Sequence, residues 1–295
     1  MRNYVYPAQM QTQSFGRLLV RVNSQANLRP IENARIQITR TGEPNNVIEE
    51  LTTNSVGRAE SVELPAPPLD YSLEPESAQP YSEYTLVISA PGFEDMTVSG
   101  AQILPAVTAL QNSQLLPSTD RPDTSELFVI PPHTLYYEYP PKIAEDEIKD
   151  IRSTGGIVLS RVVVPEYVVV HDGPPSDNSA KNYYVLYRDY IKNVASSEIY
   201  ATWPEATIQA NVLAIMSFTL NRVYTEWYRN KGYSFTITSS TAYDHKWMPE
   251  RNIFENISIV VDSIFNNYLS RPNVKQPILT QYCDGVRVQC PNWMT

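Results

Sequence analysis

The sequence predicts an α+β protein of two domains, an all-β sandwich followed by a mixed α/β domain. Three observations carry this expectation. Over residues 15–116 short β-branched runs alternate with turn residues, a Pro- and acid-rich stretch follows, and from Asp189 onward apolar residues return at helical spacing. At 295 residues the chain is long enough for two cores of ordinary size. The expected organisation is a tail over residues 1–14, a sandwich over 15–117, a linker over 118–155 and a second domain over 156–295.

In the first half, residues 17–22, 34–39, 85–89 and 96–98 read as strands. They are separated by Leu28-Arg29-Pro30, Gly42-Glu43-Pro44-Asn45-Asn46, Asn54-Ser55-Val56-Gly57 and Pro91-Gly92, residue types that turn the chain. Short strands punctuated by turns predict a small sandwich. The order also resembles the carboxypeptidase regulatory-like (transthyretin-like) sandwich. The carriers are the strand after Gly16, the entry Pro30…Ala34-Arg35-Ile36, Thr52-Thr53-Asn54…Gly57, and Tyr84-Thr85-Leu86-Val87-Ile88-Ser89-Ala90-Pro91-Gly92-Phe93. The resemblance implies a binding or spacer module and brings no catalytic residues.

The next stretch, rich in Pro and acids, contains Pro131-Pro132 and Pro140-Pro141 and reads as an extended linker. His133 within it is expected on a surface loop. The second half opens with two nearly continuous apolar runs, residues 156–164 and 167–170, expected as buried strands. Gly173-Pro174-Pro175-Ser176-Asp177 is a loop. A long helix is expected over about 204–230, with Pro204 in its first turn and Gly232 just past its end. Another is expected over about 252–269, stopped by Pro272.

A net charge of −9 argues against nucleic-acid partners, whose affinity rests on Lys and Arg neutralising phosphates. No apolar run reaches the roughly 18–20 residues that cross a bilayer. The N-terminal residues lack the basic-then-apolar pattern of a secretory signal. No cofactor or metal is expected: the two cysteines, Cys283 and Cys290, are too few for a four-thiolate site, and His245 adds no convincing fourth ligand. A tight turn at Asp284-Gly285 would hold these cysteines apart, whereas a wider loop permits a disulfide or leaves two free thiols.

The most informative segment runs from Asp189 to Tyr200. At about 100° per residue Glu198 falls roughly 20° from Ile191 around a helix axis, flanked by Val194 and Ala195. Its carboxyl group is thereby expected on the apolar stripe, where desolvation favours the protonated form that a general acid needs. A carboxylate at a frayed helix end that reaches water is the alternative.

Tyr190-Ile191-Lys192-Asn193-Val194-Ala195-Ser196-Ser197-Glu198-Ile199, then Trp203-Pro204-Glu205-Ala206 and a long Ala-containing helix, resembles the signature of the stage II sporulation protein D family. These are peptidoglycan lytic transglycosylases and amidase enhancers of sporulating bacteria. The resemblance implies a catalytic-type domain acting on glycan strands at the bacterial cell wall, with Glu198 as the single acid/base. It further implies substrate contacts at Ser240, Asp244 and His245, with an ordinary polar loop as the alternative, and the aromatics Trp203 and Tyr282 are read as substrate-binding. Tyr200 joins Trp203 and Tyr282 as an aromatic able to stack on sugars, and His171 is read as structural. The chain departs from the family in having Met216 at the place of an Arg and Asn211 at the place of a Gln. The family also continues with a Gln-Trp-Gly type motif near Asn292-Trp293-Met294-Thr295, which implies a truncated or unusual member. The rival expectation is an inactive peptidoglycan-binding or structural module of the envelope or of a secreted assembly.

Overall fold

A computed structural model describes residues 14–74, 78–118, 125–147, 158–285 and 293. It is a mixed structure, mostly sheet, with three α-helices among the described residues. Strand β1 (Ser14–Ser24) lies at the centre of the first sheet, antiparallel to β4 (Val62–Ala66) and parallel to β7 (Thr108–Leu115). The second sheet has the order β3-β2-β5-β6-β8, formed by Val47–Thr52, Arg35–Arg40, Ser82–Ser89, Met96–Ile103 and Glu126–Val129. Alternation decides which faces meet: Leu18, Val20 and Val22 of β1 and Ile36, Ile38, Leu86 and Ile88 of the second sheet are all fully buried. In β6, Gly100 is the extra residue of a bulge opposite Tyr84/Thr85, at φ +88 and with Ile130 O 2.7 Å from where a Cβ would stand. Only glycine fits there.

The expected strands of the first half are present as β1, β2, β5 and β6. Strands β3, β4, β7 and β8 carry weaker patterns. β3 is an edge strand with mostly exposed side chains. β7 buries Gln111 and Ser113, polar residues that interrupt an apolar alternation. Gln111 Nε2 donates to Ser113 Oγ and to the Glu250 carbonyl, while its Oε1 is buried without a partner among the described residues.

The second half docks directly onto this sandwich. Strand β12 (Ile253–Phe254) extends the first sheet by pairing with β7, and Asn252 grips the Gln102 backbone with both ends of its amide, at 2.9 and 2.8 Å. A three-stranded sheet, β10-β9-β11, is built from Asn182–Leu186, Tyr167–His171 and Ile237–Thr238. Helix α1 (Tyr187–Glu198) packs against β9 and β10, α2 (Glu205–Tyr224) and α3 (Glu255–Ile264) pack on α1 and on each other, and α3 also meets β7 and β12. One cluster of buried apolar side chains runs from Val20 and Ile36 through Phe254 to Ile191, Val194 and Met216, so the halves share a core. No helix of the described residues is long and apolar enough to cross a membrane.

Several sequence expectations are corrected. Residues 158–164 are not a strand; Leu159 makes a single backbone bond to Tyr224 O, and the sheet beside them is occupied by β9, β10 and β11. The start of that run, Gly156 and Ile157, lies outside the described residues, as do Cys290 and Val286. Helix α2 ends at Tyr224 because Glu226 takes a left-handed φ of 47; a short 3-10 turn, Arg229–Lys231, then closes on Gly232. Pro204 is the residue before α2, at φ −55 and ψ 143, rather than inside it. Helix α3 starts three residues late because Asn252 and β12 are held extended against the sandwich, and it ends at Ile264. Residues 126–147 are ordered against the body, supplying β8 and a wall described below. His133 is buried, 1% exposed, with its ring 4.5 Å from that of Tyr200.

Glu250 yields a stability test. Burial pushes its carboxyl up to about 7, against hydrogen bonds from Ser113 and Gln114 that favour charge. The folded chain therefore keeps this proton through a range in which the unfolded chain has released it. Stability is full below the ordinary carboxylate range and declines as pH rises towards 7. Glu250→Gln is expected to remove roughly 2 kcal/mol of decline between about pH 5 and about pH 8, measured by urea unfolding. Equal pH dependence in parent and variant would refute the assignment.

Candidate functional site

A cleft of ≈ 660 Å³ lies where the end of α1, the start of α2, residues 134–142 and the C-terminal segment meet; Glu198, Lys142, Tyr139, Trp203, Asn211 and Tyr282 are among its lining residues. Glu198 reaches it because the spacing Tyr187, Tyr190/Ile191, Val194 and Glu198 places one face of α1 inward. As the last residue of the helix, Glu198 leaves the apolar stripe just where the stripe meets the cleft.

Glu198 is 8% exposed and its carboxyl group has two partners. Oε1 accepts the Lys246 backbone N–H at 2.6 Å, and Oε2 accepts the Tyr282 hydroxyl. Burial raises the pKa of Glu198 above its ordinary value, while the charge of Lys142 and the hydrogen bonds from Tyr282 and Lys246 pull against burial. Burial also pushes the Tyr282 phenol well up, reinforced by the Glu198 carboxylate beside it. Tyr282 stays protonated and remains a donor. Its ring stacks on His245 at 5.9 Å and 16°, and His245 Nδ1 lies 3.2 Å from the Tyr190 hydroxyl. Burial, aided by Lys142 and Arg222, holds the His245 pKa well below its usual value, so this imidazole is neutral.

Asp244 has a different task. Its Oδ1 accepts from Arg222 Nε at 2.7 Å; Oδ2 accepts from the Tyr228 hydroxyl, the Thr238 N–H and the Thr238 hydroxyl. Arg222 also makes a two-pronged contact with Glu145, at 2.9 and 2.6 Å. Asp244 touches the cleft, yet its carboxylate is committed to this fully buried pair. The expected substrate contact by that carboxylate is therefore replaced by a structural role.

The other expected residues divide. Trp203 lines the cleft and is fixed by its Nε1–H donating to Ser72 O at 2.9 Å. Asn211 also lines it, with Nδ2 bonded to Thr207 O. Ser240 and His245 are not lining residues: the Ser240 carbonyl receives the Tyr243 and Asp244 N–H groups, and His245 lies in the core beneath Tyr282. Tyr200 packs against His133 instead of facing sugars, and Met216 is fully buried. His171 bonds Asn182 at 2.8 Å and stacks on Phe235 at 4.4 Å. Cys283 is disulfide-bonded, and the described residues contain no cluster suited to a metal ion. Sequence reasoning missed Tyr137, Tyr139 and Lys142, which reach the cleft from the supposed linker. Their one signal was the aromatic density of Tyr136-Tyr137-Glu138-Tyr139 before Pro140-Pro141.

No family model matches the chain, and no curated protein does. Among solved structures, parts of it are similar to the Bacillus anthracis TIE protein, at 14% identity and TM-score 0.25, over 35% of this chain and 17% of that one. It is also similar to an (S)-allantoin synthase, at 20% identity and TM-score 0.26, over 37% of this chain and 43% of that one. A third similarity is to Klebsiella pneumoniae 5-hydroxyisourate hydrolase, at 12% identity and TM-score 0.23, over 35% of this chain and 92% of that one. The likeness spans less than half the length of the first two proteins and assigns no activity to this chain.

The Arg222 cluster predicts a large effect from a nearly isosteric change. In Asp244→Asn one amide end must face donors, since Arg222 Nε–H and Thr238 N–H both require acceptors. Losing one partner of a buried pair costs on the order of 3 kcal/mol, so the urea midpoint is expected to fall sharply. An unchanged midpoint would show that the cluster does not hold the fold.

Proposed function

We propose that the protein is a peptidoglycan lytic transglycosylase that cleaves glycan strands to anhydro-muramyl ends, with Glu198 as its acid/base. The observation that carries this reading is a buried carboxyl of raised pKa at the base of an aromatic-lined cleft. Protonated Glu198 gives its proton to the glycosidic oxygen as the bond to the anomeric carbon breaks. The 6-hydroxyl of the same sugar bonds to that carbon and returns its proton to the Glu198 carboxylate. No water is consumed, so no second carboxylate is required, in contrast to the paired acids of hydrolases. Asp244 fits that economy because its carboxylate is already occupied. Trp203, Tyr137 and Tyr139 present aromatic surface able to stack on sugar rings, and residues 134–142 would make the N-terminal half part of the substrate path.

The sporulation protein D resemblance of residues 190–206 supports this reading, and action at a bacterial cell wall belongs to the same proposal. The finer arrangement, a placement module followed by a catalytic-type domain, belongs to the same proposal. One observation favours glycan binding without cleavage: both Glu198 oxygens already have protein partners.

Purified glycan strands separate the two readings. The parent is expected to produce anhydro-muramyl ends detectable by mass spectrometry, and Glu198→Gln at least about 100-fold fewer. Reducing ends would mean hydrolysis, and intact bound strands would mean a binding module. Tyr282→Phe removes a donor to the carboxylate, so the alkaline limb of the rate profile is expected to move to higher pH. An unmoved limb would separate Tyr282 from the acid.

A further inference from the structure

The cation in the cleft has no role in the proton transfer as written above. Lys142 enters from the segment preceding the helical half, is partly buried, and its Nζ donates to the Asp244 backbone carbonyl. The ammonium lies 5.3 Å from the centre of the Tyr282 ring and 4.8 Å from that of Phe218. Tyr282 is the residue whose hydroxyl donates to Glu198, so the cation stacks on the face of the ring whose hydroxyl holds the carboxylate, and all three residues line the cleft.

The charges around this stack are otherwise accounted for. Arg222 takes both Asp244 and Glu145 as direct ion-pair partners. No direct ion pair of Lys142 occurs among the described residues. Ionising Glu198 adds a third negative charge to those of Asp244 and Glu145, and of the two ammonium groups that favour its charged form, Lys142 and Lys246, Lys142 has the larger effect. From the loop after β11, Lys246 offers Glu198 its backbone N–H, while its ammonium lies 5.6 Å from the centre of the Tyr139 ring. Tyr190, from the same helix as Glu198, is a neutral phenol, and His245 is neutral. Glu138 and Asp284 are the remaining acids that line the cleft.

We propose that Lys142 is the counter-cation of Glu198, a positioning residue that stabilises the carboxylate once its proton has passed to the leaving oxygen. Burial lowers the Lys142 pKa, against the Glu198, Asp244 and Glu145 carboxylates, which favour its charged form; in the proposed step the ammonium stays charged, and the transferred proton belongs to Glu198 and returns to it from the sugar 6-hydroxyl. The proposal deepens the transglycosylase reading, but the pairing itself is measurable without any substrate. It also assigns the segment 131–147 a chemical task, because among the described residues Lys142 is the ammonium held over the Tyr282 ring.

The test is a titration of the full chain labelled with carboxyl-¹³C glutamate, with the Glu198 resonance assigned through its loss in Glu198→Gln. Lys142→Met keeps the apolar stem over Phe218 and Tyr282 and removes the charge. It is expected to raise the Glu198 midpoint by about one unit, and Lys142→Arg to restore it. The alkaline limb of anhydro-muramyl formation should move up by the same amount, with KM unchanged. A Glu198 midpoint in folded Lys142→Met equal to that of the parent would overturn the proposal. Should the Met variant fail to fold, Lys142→Gln is read by the same criterion. A raised midpoint in a protein whose parent makes no anhydro ends at any pH would uphold the pairing and sink the transglycosylase reading alone.

Discussion

The carbonyls at the end of an α-helix have no partners within it, and in α1 the way they are satisfied governs the site. Arg251 donates to Ser196 O, and Thr134 donates to Ser197 O through its backbone N–H and its hydroxyl, at 3.3 and 3.0 Å. Ser196 Oγ accepts the Phe254 N–H from β12. The helix end is thereby fixed by the 131–147 segment, by the chain entering α3 and, through the 2.8 Å bond from Arg251 to Gln102, by β6 of the sandwich. Glu198 follows from this anchoring. A carboxyl group one residue past two tethered positions, Ser196 and Ser197, has little freedom to reach bulk water, and it meets the cleft instead.

Desolvation then sets the chemistry of each buried charge according to its partners. Arg222 has two carboxylates and keeps its charge. Arg251 has a helix end and an amide oxygen but no carboxylate among the described residues, and burial brings its pKa down to about 10. The negative end of the α1 dipole supplies part of the compensation that a carboxylate would otherwise give. Glu198 lies between these extremes, with a phenol, a backbone N–H and a nearby cation opposing its burial.

The two halves are joined at the level of single hydrogen bonds. Asn252 grips Gln102, Trp203 is steadied by Ser72, and the Thr202 hydroxyl meets Ser72 Oγ at 2.7 Å. Leu73, from the sandwich, lines the cleft with Tyr139. The Gln102 contacts are buried and the Ser72 contacts part-buried, and Trp203, held by Ser72, lines the cleft directly.

Residue order alone determined the features that depend on local period. The alternation in 17–22 and 34–39 gave strands, and the 100° spacing from Ile191 to Glu198 put that carboxyl on a buried face. Both follow from backbone geometry, which is the same wherever the segment lies. What lay beyond sequence were the partners. Asp244 and Glu198 are both acids near apolar residues, but only the fold brings Arg222, Tyr228 and Thr238 to one and Tyr282 to the other. Pro-rich residues 131–142 carry no periodic signal, so their role as a wall and as the source of Lys142 came from tertiary docking. Periodicity reports which way a side chain points; which charge or donor it meets there depends on segments tens of residues away, and only the packed structure decides that.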